Sequence, residues 1–155
     1  DSGNPEPTFR LLGKKIINSK SKFIPKNDYK RMKAALLLYK EKHNNFLSTF
    51  QEKLDKIAQK IGNEPLAIFC GGEHTSTLMD RFDFSKMDVQ IIFDNDPAIS
   101  NTKFLGIPIK HGSEVPNYSI NNFLISSTNH ERVIYESLIK LNPHYNIYSL
   151  YSKLN

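Results

Sequence analysis

The sequence predicts an α/β protein, in which a parallel sheet of about four strands with flanking helices follows an N-terminal helical segment. Three observations carry this. Short apolar runs recur at Leu66–Cys70, Val89–Phe93 and Asn122–Ser126, each bounded by turn-forming residues. Amphipathic stretches lie between them, as crossovers joining parallel strands require. Upstream of residue 64 the apolar spacing is instead three and four, which is helical.

Residues 1–27 are polar and broken by Pro5, Pro7, Gly13 and Pro25. They read as a linker or the end of an upstream domain, or equally as a hairpin of Phe9–Leu12 and Lys15–Asn18 around Gly13-Lys14. The chain starts at Asp1 and not at methionine, so we expect a piece of something longer.

Residues 28–61 form the helical segment. Asn27-Asp28 offers an N-cap, and Tyr29, Met32, Leu36, Tyr39, Phe46, Phe50, Leu54, Ile57 and Ile61 share one face. His43 fits the same phase and would allow one long helix. His43-Asn44-Asn45 is nonetheless a weak helix stretch, and the favoured expectation is two helices, 28–42 and 45–61, ended by Gly62. The face reads as core or interface, with too few heptads for a coiled coil.

Residues 62–155 form the binding domain. Leu66–Cys70 is the first strand and Thr75–Arg81 starts a short helix. Val89–Phe93 is the second strand and ends in Asp94-Asn95-Asp96-Pro97. Phe104–Ile109 reads as a turn and a short extended piece, and Ser113–Tyr118 as one helical turn. Asn122–Ser126 is the third strand. Glu131–Leu141 is a helix with Val133, Ile134, Leu138 and Leu141 inward, and Asn146–Leu150 is a final strand.

Composition bounds the function. The chain has 155 residues, 39% hydrophobic and 24% charged. No apolar run approaches the roughly 18 residues of a membrane span, and no signal-peptide pattern opens the sequence. One cysteine excludes an internal disulfide and a cysteine-based zinc site, and fits a cytoplasmic protein. Charge is uneven, with 14 Lys/Arg against 6 Asp/Glu in residues 1–63 and 7 against 10 in residues 64–155. The basic half suggests a nucleic acid, a membrane surface, an acidic partner or simply a solvated helix surface. The aromatic residues of that half lie mostly on the apolar helix face, which disfavours base stacking on nucleic acid.

In a parallel sheet, ligands sit beyond the carboxyl ends of the strands. The first such end is Cys70-Gly71-Gly72-Glu73-His74-Thr75. Glycines there let the backbone approach a phosphate, and the helix beginning near Thr75 aims its N–H groups at it. A dinucleotide fingerprint places glycines where this chain has Cys70, Gly72 and Thr75, so a standard dinucleotide dehydrogenase is not expected. The second end is Asp94, 22 residues beyond Gly72, at the spacing of an acid that accepts ribose hydroxyls; Asp94, Asn95 and Asp96 also read as a plain turn before Pro97. The third is Ser126-Ser127-Thr128-Asn129, which caps the next helix or reaches the same ligand. Candidate ligand residues are therefore Gly71, Gly72, Glu73, His74, Thr75, Asp94, Asn95, Ser126 and Ser127.

These stretches, Ile-Phe-Cys-Gly-Gly-Glu-His-Thr-Ser-Thr-Leu-Met, Ile-Ile-Phe-Asp-Asn-Asp-Pro, Phe-Leu-Gly-Ile-Pro-Ile and Leu-Ile-Ser-Ser, resemble two related Rossmann-like modules. One is the N-terminal nucleotide-sugar-binding domain of bacterial sugar acyltransferases. The other is the C-terminal domain of S-adenosylmethionine-dependent sugar C-methyltransferases, a likeness that also covers the helix at Asn45–Ile61 and the Ser-Thr-Leu-Met run; together the similarity spans about residues 45–140. The lysine of the methyltransferase pattern falls at His74 and its two glycines at Cys70 and Thr75. The resemblance implies a nucleotide or nucleotide-sugar binding domain of a larger methyltransferase-type or sugar-modifying enzyme, not catalytic by itself. S-adenosylmethionine enters only if an upstream catalytic domain exists.

Catalytic patterns are sparse. Tyr29-x-x-x-Lys33 has a short-chain dehydrogenase spacing but lies on a helix upstream of the glycine turn. A phosphate-cradling cysteine hydrolase needs an arginine six residues after Cys70, where Ser76 stands. Cys70 could be activated at a helix N-terminus, or be a small buried residue. His74 is the one catalytic candidate, an acid or base near neutrality or a phosphate contact, and His111 could reach the same crevice. Asp94-x-Asp96 imitates the metal-binding acids of nucleotide-sugar transferases, a second alternative, although no histidine pairing suggests a metal site. The remaining alternative is an interaction or homo-oligomerisation module built on the helical segment, its crevice vestigial.

Overall fold

The computed structural model describes residues 29–151, so the hairpin considered for residues 9–18 lies outside them. The chain divides between Thr49 and Phe50 into two compact units. Helix α1, Tyr29–Ile61, contributes residues to both. It is one continuous α-helix, which corrects the expected break at His43-Asn44-Asn45. These residues are mediocre helix formers, costing a few tenths of a kcal/mol each, and no proline or glycine interrupts the run. Local contacts support it: the Tyr39 ring stacks on His43 at 5.8 Å, and Ser48 Oγ donates to the Asn45 carbonyl.

In the α/β unit the elements run β1 (Pro65–Phe69), α2 (Glu73–Arg81), β2 (Asp88–Asp94), β3 (Lys103–Phe104), β4 (Ile107–His111), a 3-10 helix (Gly112–Asn117), β5 (Asn122–Ile125), α3 (Glu131–Leu141) and β6 (Asn146–Ser149). They form a six-stranded sheet in the order β3-β4-β2-β1-β5-β6. Every pairing is parallel except that of β3 with β4. The protein is thus α/β and Rossmann-like, as expected, with an edge hairpin added to the four core strands. That hairpin occupies the stretch read as a turn and a short extended piece. Leu105 and Gly106, at φ +50° and +84°, form its two-residue turn. Leucine is a poor signal for a left-handed position, which hid β3 in the sequence.

The sheet is covered on both faces. Ala67 and Phe69 of β1, Ile91 and Phe93 of β2, and Phe123 and Ile125 of β5 cluster with Ile134 and Leu138 of α3. Side chains alternate along a strand, so buried Leu66, Ile68, Ile92 and Leu124 face the opposite side. Right-handed crossovers on either side of the central pair place α2 there, and α1 joins it through Phe50, stacked on Phe82 at 4.4 Å. Phe50, Leu54, Ile57, Ala58 and Ile61 are the buried positions of α1. Gly62, at φ +64°, ends the helix and donates its N–H to the Ala58 carbonyl.

Two inward assignments on α3 are corrected. Val133 and Leu141 are 64% and 50% exposed. The buried face is Glu131, Ile134 and Leu138, whose spacings of three and four define one stripe, and Val133 lies 100° from Ile134 around the axis. A carboxylate ordinarily marks the outer face, so Glu131 carries no sequence signal of burial.

Candidate functional site: the crevice at the strand ends

The chain leaves β1 for β2 on one side and later returns to β5 on the other, so the carboxyl ends of β1 and β5 flank the topological switch point. Three loops meet around it: Cys70–Gly72, Asp94–Pro97 and Ser126–His130.

The first loop turns sharply. Cys70 follows β1 with φ +84°, an uncommon value for a residue with a Cβ, and its N–H bonds the Phe93 carbonyl at 2.8 Å. The two glycines differ in kind. A Cβ at Gly71 would lie 3.0 Å from Ile92 Cγ2 and 3.4 Å from Ile109 Cδ1, so packing against the sheet explains that glycine. A Cβ at Gly72 would meet nothing within 4 Å. Gly72 is the N-cap of α2 and has no side chain to cap it, so its surroundings are open at the positive end of the helix.

Asp94 joins this loop to the second. Its Oδ2 accepts the Gly71 N–H at 2.6 Å and its Oδ1 accepts the Asp96 N–H at 2.8 Å. A carboxylate offers about four lone-pair positions, so these two bonds leave acceptor capacity. Asn95 is exposed, and its Oδ1 stands where a Cβ on Gly112 would fall; that Cβ would also lie 2.8 Å from Phe69 Cζ. Glycine at 112 therefore lets the end of β4 approach the crevice wall.

The third loop is pinned to the first by hydroxyls. Thr75 Oγ1 donates to the Cys70 carbonyl and is hydrogen-bonded to Ser126 Oγ. Thr75 and Ser126 are both buried, so they hold the loops together from beneath. Ser127 is half-buried, and its Oγ accepts the His130 N–H at 3.1 Å, closing a turn just ahead of α3, whose N-cap is His130. Of the predicted residues, Gly72, Glu73, His74 and Asn95 are exposed at the rim, and Gly71, Asp94 and Ser127 are half-buried in its wall.

The titratable groups limit the chemistry. Burial, and secondarily the Asp94 charge, push the Cys70 thiol up to about 11 against a weaker opposing hydrogen bond from Ser127. Cys70 is a thiol at neutral pH and not an activated nucleophile. His111 Nδ1 accepts the Ser113 N–H and contacts Ser113 Oγ, so this ring caps the 3-10 helix. His74 Nε2 is hydrogen-bonded to the Tyr151 hydroxyl. Asp96 Oδ1 accepts the Ala98 N–H, so both acids of Asp94-x-Asp96 serve backbone turns. Among the described residues no group of three His, Cys, Asp or Glu could hold a metal ion. No described helix is long and apolar enough to cross a membrane. Tyr151 is the residue that sequence reasoning missed; nothing in its neighbourhood along the chain marks it.

No protein-family model and no curated protein sequence matches the chain. Among solved structures, UDP-D-quinovosamine 4-dehydrogenase from Vibrio fischeri is similar over 56% of this chain and 77% of its own, with 21% identity and a TM-score of 0.44. RSP, a Rex-family repressor, is similar over 72% of this chain and 60% of its own, with 13% identity and a TM-score of 0.39. Both are partial likenesses of backbone shape.

Proposed function

We propose that the crevice between the β1 and β5 loops binds a nucleotide or nucleotide-sugar, and that the domain does so without catalysing a reaction itself. The observation that carries this reading is the tie between Asp94 and Gly71 beside the unobstructed Gly72. It places an acid with spare acceptor capacity next to a helix N-terminus at a switch point. A ligand phosphate would take the N–H groups beginning at Gly72, and a ribose would take the remaining lone pairs of Asp94. Glu73, His74 and Asn95 would form the rim and Ser127 part of the wall, while Thr75 and Ser126 position the two loops. Cys70 at a pKa of about 11 argues against a thiolate mechanism.

The finer reading is a binding domain of a larger methyltransferase-type or sugar-modifying enzyme of the cytoplasm. It rests on the sequence resemblance, and S-adenosylmethionine would belong to a separate catalytic domain. The test is a nucleotide and nucleotide-sugar panel scored by melting temperature, with Gly72→Val as control. Because the site around Gly72 is open, that variant removes binding by filling ligand space.

A second reading, an interaction module, draws on α1. Met32, Leu36, Leu37 and Leu38 are each more than half exposed. Light scattering would then show a size that rises with concentration and falls back on Leu36→Glu.

A further inference from the structure

Three residues at the end of the last strand, Ser149–Tyr151, carry more anchors than a chain segment at a sheet edge ordinarily has. Ser149 Oγ is hydrogen-bonded to the buried carboxylate of Glu131 at the start of α3, and accepts the Tyr151 N–H at 3.2 Å. Lys53 Nζ of α1 donates to the Leu150 carbonyl at 2.7 Å, and Leu150 is itself buried. The Tyr151 ring packs against Phe50 with centroids 6.0 Å apart, and against the His74 ring at 5.4 Å. Its hydroxyl ends on His74 Nε2. Elements from both faces of the sheet thus converge on Ser149–Tyr151, and the segment reaches from β6 to the first turn of α2.

We propose that Ser149–Tyr151 is a strap that sets the His74 imidazole in one rotamer and one tautomer beside Gly72, with Tyr151 the positioning residue. The ligand half of this rests on the nucleotide reading above; the imidazole half does not. A phenol hydroxyl can donate to Nε2 or accept from it, but it is the stronger donor, so it favours the tautomer that leaves Nε2 bare and carries the ring proton on Nδ1. The ring contacts fix the plane in which it does so. His74 is the second residue of α2 after the N-cap, so a phosphate arriving at that end meets a ring already oriented, and little ordering is left for the ligand to induce. Occupancy of the crevice is thereby coupled to the end of β6. A ligand that holds His74 also holds the strap, and slows exchange of the Tyr151 amide proton, which is bonded to Ser149.

The experiment compares the wild type with Tyr151→Phe, which keeps the ring on Phe50 and deletes only the hydroxyl. Long-range 1H–15N spectra of the ligand-free protein report the His74 tautomer. The expected result is one dominant tautomer in the wild type, with nitrogen shifts that move toward the averaged values of a free imidazole in the variant. Identical shifts in the two proteins overturn the strap. Titration with UDP then reads the ligand half. The expected loss of affinity in Tyr151→Phe is on the order of fivefold, the worth of one net hydrogen bond. Unchanged affinity together with a released tautomer overturns the coupling to the ligand. If UDP and the wider nucleotide panel all fail to bind the wild type, the nucleotide reading and this coupling fall together, while the tautomer result still decides the role of Tyr151. Ser149→Ala, which loosens the strap away from the ring, should speed Tyr151 amide exchange at least several-fold. No change there also counts against the strap.

Discussion

The Asp94 carboxylate accepts the Gly71 N–H at 2.6 Å, across a gap of 23 residues and between two strand ends. The same side chain accepts the Asp96 N–H, so one acid sets the shape of both loops. Asp94→Ala should cost about 2 kcal/mol, in the range of a charge-assisted hydrogen bond, and Asp94→Asn, which keeps one of the two acceptor oxygens and turns its amide NH2 on the other N–H, should recover only part of it. Urea denaturation of the two variants checks this. Equal losses in both would show that the acceptor geometry is irrelevant.

The two glycines should behave differently. Gly71→Ala presses a methyl on Ile92 and should destabilise by about 1–2 kcal/mol. Gly72→Ala meets open space and should change stability by less than about 1 kcal/mol, the margin between glycine and alanine at an N-cap. Thermal melts of both variants give the comparison directly.

Cys70 makes a pH prediction. Its thiol is raised from an ordinary 9.0 to about 11, so at pH 8 the thiolate fraction is about a hundredfold below that of a free cysteine. Alkylation by iodoacetamide should be correspondingly slow. Asp94→Asn should speed it, since the carboxylate charge contributes to the rise. Linkage gives the sign for stability. The folded protein keeps a proton that the unfolded chain releases above pH 9, so this contribution is complete below pH 9 and lost as pH climbs toward 11. The difference in urea midpoint between the wild type and Cys70→Ala should shift in that window.

Thr75 and Ser126 should act as a unit. Thr75→Val and Ser126→Ala should each cost about 1–2 kcal/mol, because each leaves a buried hydroxyl partner behind. The double variant should cost less than the sum by about 1 kcal/mol. Strict additivity would mean that the hydroxyls do not join the β1 and β5 loops.

Much of this architecture was legible in the sequence because it is local. The runs at Leu66–Cys70, Val89–Phe93 and Asn122–Ser126 name their strands, and Glu131–Leu141 names α3 to the residue. What stayed hidden depends on partners far along the chain. The continuity of α1 turns on small propensity differences at His43–Asn45 that an uninterrupted helix outweighs. The β3–β4 hairpin uses Leu105 where a turn signal would have been asparagine or glycine. The spacing of Asp94 from Gly72 pointed to a ligand acid, but no pattern said that it would bind the neighbouring loop as well. The contact between His74 and Tyr151 joins residues 77 positions apart and has no signature in either neighbourhood.

The crevice beside Gly72 and Asp94 is expected to bind a nucleotide. Calorimetric melting in the presence of nucleotides and nucleotide-sugars, on the wild type and Gly72→Val, tests it most directly. At a ligand concentration about a hundred times Kd, the gain is about 2.7 kcal/mol, a rise of several degrees in Tm. That rise is expected for at least one nucleotide in the wild type, and its disappearance in Gly72→Val. A flat response across the whole panel, or an equal rise in the variant, would contradict it.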